Sequence, residues 1–241
     1  MSKNASLSEQ ISSIRNQIII NKRSQLKDPT PSPMLWGPDG IDHINIWEQA
    51  ETEIGKFLVH SSPYSIKHRY FGRFKTMEAF WHYIQSNERD DRIRNMSGPV
   101  LKKFSKQLTP ARVVNFRAIV MDSNWQRIKQ HPEQAEMVKE STLPFDCYFI
   151  NNQSGIRTRP TFYKWLVMGF EEIRDALKEK REANFDFLLD VVKSTTYEFI
   201  LPPQYNQTSE PEQMMTLTTN QDDETNKASD DLSDGNVNVE N

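Results

Sequence analysis

Two carboxylates in this 241-residue chain sit where their neighbours suit them to chemistry. The first is Glu78, in "FKTMEAFWHYIQ". On a helix it shares a face with Trp81, His82 and Gln85, at i+3, i+4 and i+7. Met77, Phe80 and Ile84 form the neighbouring stripe, the natural core contact. The second is Asp146, in "PFDCYFI", an acid inside a short aromatic run. A carboxylate set among aromatics loses solvation, which disfavours the ionised form and suits proton transfer. Each has a plainer reading. Glu78 and His82 would make an i,i+4 surface pair worth a few tenths of a kcal/mol. Asp146 would be a turn or edge-strand residue that binds a backbone N–H.

Other candidates carry less. Cys147 is the one cysteine. Apolar neighbours raise a thiol's pKa, so nothing in its surroundings activates it as a nucleophile. Lys67, His68, Arg69, Arg73 and Lys75 alternate with Tyr70, Phe71 and Phe74. That interleaving offers charge for phosphate and rings for base stacking, and it equally describes a twisted surface strand with a core face. The five histidines and the single cysteine make no zinc spacing, and the eight glycines form neither a dinucleotide fingerprint nor a P-loop.

Composition bounds the class. The formal charge of −3 is uneven. Residues 205–241 hold nine acidic residues and one lysine, net −8, which leaves +5 on the rest. A mildly basic body favours anionic partners such as nucleotides. One cysteine excludes an internal disulfide and fits a reducing cytoplasm. No apolar run reaches transmembrane length, so membrane insertion is not expected.

The elements that would position these residues are mostly helical. Leu7, Ile11, Ile14 and Ile18 recur at helical spacing, which predicts an amphipathic helix over 7–21 that caps the domain or makes a homotypic contact. "KDPTPSP" ends it. "FLVHSSPYSI" and "RYFGRF" read as strands or extended segments. Thr76 is placed to cap the Glu78 helix, which runs to about Gln85. Helical patterns resume after Pro99, again over 113–121, and at Pro132. "LPFDCYFINNQSGIRTRP" reads as a short strand and loop. "TFYKWLVMGFEEIRDALKEKRE" is the strongest helix, with Phe162, Trp165, Leu166, Gly169, Phe170, Ile173 and Leu177 on one face. Another helix is expected at "FDFLLDVVKS". The last 37 residues are too polar to offset chain entropy, so disorder is expected there. The expected organisation is a helix and Pro-rich linker over 1–35, a globular domain over 36–204 and an acidic tail over 205–241.

The order of segments resembles the NADAR superfamily of YbiA-like domains over about Gly55 to Leu177. "GKFLVHSSPYSI" and "GRFKTMEAFWHYIQ" match its opening segments, with Glu78 on the family's glutamate. "DRIRNMSGPVLKKF" and "FRAIVMDSNWQRIKQHPEQAEMVKEST" match its middle. "DCYFI" and "YKWLVMGFEEIRDAL" match its end, with Asp146 on the family's aspartate. The resemblance implies a compact, mainly α fold with a few short strands. It implies an N-glycosidase that hydrolyses the C1–N bond of a ribose-phosphate compound or an ADP-ribosyl adduct, with no metal and no cofactor. In it Glu78 and Asp146 are catalytic, Trp81 and Tyr148 flank base or sugar, and Arg73 and Lys75 bind phosphate. The sequence departs from the pattern after Asp146, where Phe149 and Ile150 replace Trp-Gly, and where "SGIRTRP" replaces a Gly-rich loop. Arg157 and Arg159 bring charge there instead. Such departures keep two further readings open: a binding module for an ADP-ribose-like ligand or a protein, and a nucleic-acid-associated structural protein.

Overall fold

The computed structural model describes residues 7–27, 37–151, 153–160 and 163–190. All of them fall in one unit of the chain, Met1–Thr196. The Pro-rich linker and the acidic tail of the sequence reading lie outside the described residues.

Helices dominate, and local chemistry starts several of them. Helix α1 spans Leu7–Lys27 and is followed by strand β1, Ile44–Asn45. Helix α2, Glu53–Leu58, opens where the Thr52 hydroxyl accepts the Gly55 N–H at 3.1 Å. Strands β2, Ile66–His68, and β3, Gly72–Phe74, form an antiparallel hairpin pairing Ile66 with Phe74. Gly72 at φ +76° supplies the left-handed turn residue. Helix α3, Met77–Ile84, follows at once, and Thr76 caps it by accepting the Ala79 N–H at 3.1 Å. A 3-10 turn over Asp91–Asn95 leads to α4, Gly98–Ser105, with Pro99 in its first turn. Helices α5, Phe116–Lys129, and α6, Pro132–Glu140, come next. Three two-residue strands follow, β4 (Phe145–Asp146), β5 (Phe149–Ile150) and β6 (Arg157–Thr158). Helix α7, Tyr163–Lys178, is the last long element described.

β1 lies parallel to β4, and β5 pairs antiparallel with β6. The core is the apolar side of α3, α5 and α7 closed by α2, β2 and β3: Phe57, Leu58, Ile66, Phe74, Phe80, Ile84, Ile128, Phe170 and Ile173 are all buried. Helix α1 docks by its second half. Ile19 and Leu26 pack on the core, Lys22 pairs with buried Glu172 at 2.7 Å, and Arg23 donates to the Asp186 carbonyl at 2.7 Å. Its first half presents Ile11, Ile14 and Ile18 to solvent.

Two sequence expectations change. "FLVHSSPYSI" is not a strand along its length. Phe57 and Leu58 end α2, because Thr52 starts a helix that the apolar run alone does not signal. "FDFLL" forms only a 3-10 turn, Asp186–Leu188, and the rest of that expected helix lies outside the described residues.

Candidate functional site

Glu78 occupies the first turn of α3, where a carboxylate meets unpaired N–H groups and the positive end of the helix. Its backbone N–H donates to the His60 carbonyl at 2.7 Å, which ties α3 to the loop after α2. The side chain is 13% exposed. Lys102 of α4 approaches Oε1 at 3.4 Å. Among the described residues no ion pair within 4 Å joins Glu78 to His82, although the Glu78 charge still acts on that ring. The other oxygen, Oε2, is buried and has no hydrogen-bond partner.

His60 is the hinge of the site. Its ring lies 5.4 Å from that of Trp81, tilted by 52°. Its Nε2 faces Nδ2 of Asn124, on α5, at 3.1 Å. Burial, then the nearby Arg127 charge, hold its pKa down at about 3, so the ring is neutral at physiological pH. Arg127 is buried and fixes the loop that carries His60. It donates to the Leu58 carbonyl at 3.1 Å, the Val59 carbonyl at 3.3 Å and Ser62 Oγ at 2.9 Å, capping the end of α2. Burial lowers its pKa to about 9, and it stays cationic at neutral pH.

Trp81 is half-buried. Phe116 meets it edge-on at 4.7 Å and Trp165 of α7 stacks on it at 6.0 Å and 18°. His82 has a lowered pKa, chiefly through burial, opposed by Glu78 and reinforced by Lys102. The Glu78 end therefore gathers one carboxylate, a neutral imidazole, a lysine and three aromatic rings. Such a set can take a proton from water while an aromatic wall holds an uncharged or anionic ligand.

Asp146 lies elsewhere in the site's connectivity. It is 2% exposed on β4. Arg159 grips it with both arms: Nε donates to Oδ1 at 3.0 Å and an Nη to Oδ2 at 2.5 Å. Oδ1 also accepts the Cys147 N–H at 2.7 Å. The Arg159 guanidinium lies 4.8 Å from the Tyr163 ring centroid, at the start of α7. Asp146, Arg159 and Tyr163 thus form one group of contacts at the start of α7, and Trp165 and Trp81 form another. Tyr148, also buried, donates its hydroxyl proton toward His43 Nε2 at 2.7 Å, and His43 Nδ1 meets Asp42. Burial raises the Tyr148 pKa, with Arg157 opposing from 4.7 Å above the ring. Arg157 further donates to the Gly37 carbonyl at 3.1 Å.

The sequence candidates therefore separate into three places. Glu78 and Trp81 stand together on α3. Asp146, Tyr148, Arg157 and Arg159 belong to the β4–β6 segment. Arg73 and Lys75 are exposed on and just after β3, without an ion-pair partner among the described residues. Cys147 is buried and burial drives its thiol up to about 12, so thiolate chemistry is absent at neutral pH.

The sequence reading missed His60, Asn124 and Lys102. His60 and Asn124 lie 64 residues apart, and nothing periodic links them. The one trace in the sequence is an amide, Asn124, at helical spacing from Val120, Met121 and Ile128, and it does not point to His60 as its partner.

No protein-family model matches the chain, and no curated protein matches it. Among solved structures it is similar to the NMR structure of the E. coli protein YbiA, at 14% identity and a TM-score of 0.44. The match covers 61% of this chain and 95% of that one. It is a distant likeness of fold.

Proposed function

We propose that this chain hydrolyses the C1–N bond of a ribose-phosphate compound or an ADP-ribosyl adduct, with Glu78 as the base that activates water. The observation that carries the reading is the Oε2 atom of Glu78: buried and unpartnered, on the helix turn whose backbone meets the His60 carbonyl and whose Trp81 ring lies against the neutral His60 imidazole. Buried polar oxygens are normally met by protein, water or a ligand, so this one is available to the water that the reaction consumes.

In this mechanism water attacks C1 and gives a proton to Glu78. The C1–N electron pair leaves with the nitrogen of the base, and positive charge develops on the sugar in the transition state. The carboxylate opposes that charge at short range. The departing nitrogen takes up a proton from protonated Glu78 or from solvent. Trp81 and Phe116 form the wall against sugar or base. Lys102, mostly exposed and touching Oε1, attracts an anionic group to the mouth.

Asp146 enters differently from the sequence expectation. Its oxygens are already met by Arg159 and the Cys147 N–H, so its proposed role is to hold Arg159 for an anionic part of the ligand. The same observation favours a second reading, ligand capture without turnover, because it takes one of the two expected catalytic carboxylates out of the chemistry.

A product assay by mass spectrometry tests the choice. Full-length protein is incubated with ADP-ribosylated guanine nucleotides and, separately, with ribosylamine phosphates. Release of free base or amine from either supports hydrolysis. Retention of intact substrate on the protein supports capture, and neither release nor retention overturns both.

A further inference from the structure

We propose that the first half of helix α1 pairs with the same stretch of a second copy of this chain, through a seam of Ile11, Ile14 and Ile18. The surface is separate from the Glu78 site, and the pairing does not depend on the chemistry there.

The helix carries two apolar faces at different angles. At 3.6 residues per turn, Ile11, Ile14 and Ile18 fall within an arc of about 60°. Ile19 and Leu26, which pack on the core, lie about 100° round from the middle of that arc. Lys22 and Arg23 secure the second half to Glu172 and to the Asp186 carbonyl. Ile11, Ile14 and Ile18 are 57%, 62% and 50% exposed. The two roles open to this helix, capping the domain and meeting a copy, thus belong to different halves of it.

What covers the seam follows from its width and spacing. A helix laid on a domain shows an apolar stripe of about 100° or more, whereas a strict a/d seam is narrower and takes another helix, knobs into holes. Ile11, Ile14 and Ile18 are spaced by three and four, the a–d–a positions of a heptad, and the sequence carries the same spacing back to Leu7. The partner must offer a matching stripe. Among the described residues only α1 does so, since Val100 on α4 and Met137 on α6 are the lone large apolar residues exposed on their helices. A copy of α1 is therefore the complementary surface.

Charge permits the pairing. Ser8 and Arg15 border the seam on one side, and Gln10 and Gln17 on the other. In heptad positions, Arg15 meets Gln10 of the second copy in a parallel pair and Ser8 of the second copy in an antiparallel one, so like charges do not face each other. Isoleucine at both a and d also suits three or four strands. Here Ile19 and Leu26 engage the core on the Arg15 side, which bounds the seam there and leaves room for one partner helix. Ile20 supplies a control. It is 58% exposed, nearly as bare as Ile14, but stands about 150° from the middle of the seam.

The test is sedimentation equilibrium of the full-length protein from about 1 to about 300 µM, a range suited to the weak association of so short a seam. The mass of wild type is expected to rise from one chain towards two. Ile14→Lys is expected to weaken association at least about tenfold, because a charge then has to enter the seam. Ile20→Lys is expected to associate as wild type does. Circular dichroism on heating should find Ile14→Lys near wild type, since the position is exposed. Should that variant fail to fold, Ile11→Lys takes its place. A wild-type mass of one chain throughout, a mass of three chains or more, undiminished association of a folded Ile14→Lys, or disruption by Ile20→Lys equal to that by Ile14→Lys would each overturn the proposal.

Discussion

Acid should unfold this protein through two histidines well before its carboxylates titrate. Burial, then Arg127, holds His60 at a pKa of about 3, and burial, then Arg69, holds His68 at about 4. His68 Nδ1 accepts the N–H groups of Tyr70 and Phe71 at 3.1 and 3.2 Å, so a proton there would break the turn between β2 and β3. Asp122 is 3.9 Å from His68 Nε2, beyond hydrogen-bond reach, and its charge is taken up by Arg69 at 2.9 Å. In the unfolded chain both rings titrate near 6.5. Below that pH the unfolded state binds protons that the folded state refuses, so stability falls as pH falls. Between pH 7 and pH 5 each histidine removes about 2 kcal/mol, and the pair about 4 kcal/mol. His82, lowered in the same direction, adds to the slope. Urea denaturation at pH 7 and pH 5 reads the loss. His68→Asn is the informative variant, because an amide oxygen can stand where Nδ1 accepts while nothing titrates. It should lose about 2 kcal/mol less than wild type over the same interval. Equal losses in the two proteins, with unchanged m-values, would refute the assignment of a neutral buried His68.

Three further outcomes follow from the packing. Gly55→Ala should prevent folding or lower Tm by many degrees, because a Cβ at that position would stand 2.1 Å from the Asn45 carbonyl oxygen; circular dichroism on heating reads it. Asp146→Asn should cost about 3–5 kcal/mol in urea denaturation, since it leaves Arg159 buried without its anion, and Asp146→Leu combined with Arg159→Met should recover part of that loss. Glu172→Gln should release α1, because Glu172 accepts from Lys22 at 2.7 Å, Arg181 at 2.6 Å and the Asn184 N–H at 2.9 Å; faster limited proteolysis within residues 7–27 is the readout.

Much of the scaffold was legible in local chemistry. Thr76 caps α3 as its hydroxyl and position suggest, Pro132 opens α6, and the apolar face of α7 is buried at Trp165, Leu166, Phe170 and Ile173. Helix α1 runs beyond the expected 7–21 to Lys27, because Leu26 still finds the core and Lys22 finds Glu172. Glu78 beside Trp81 could be read from helical spacing alone. His60 and Asn124 could not, since a histidine in a Ser-rich loop acquires its meaning from a helix 64 residues away. Asp146 shows the opposite limit. Its aromatic neighbours marked it as unusual, yet its grip on Arg159 across 13 residues depends on how β4 and the segment after β6 meet.

Single-turnover release of free base, with enzyme in excess over an ADP-ribosylated guanine nucleotide or a ribosylamine phosphate, tests the central assignment most directly. Wild type and Glu78→Gln are compared, with substrate binding measured in parallel. The account predicts that Glu78→Gln still binds substrate but releases base about 10²–10⁴ times more slowly. Release at the wild-type rate by Glu78→Gln, or no release by wild type, would contradict it.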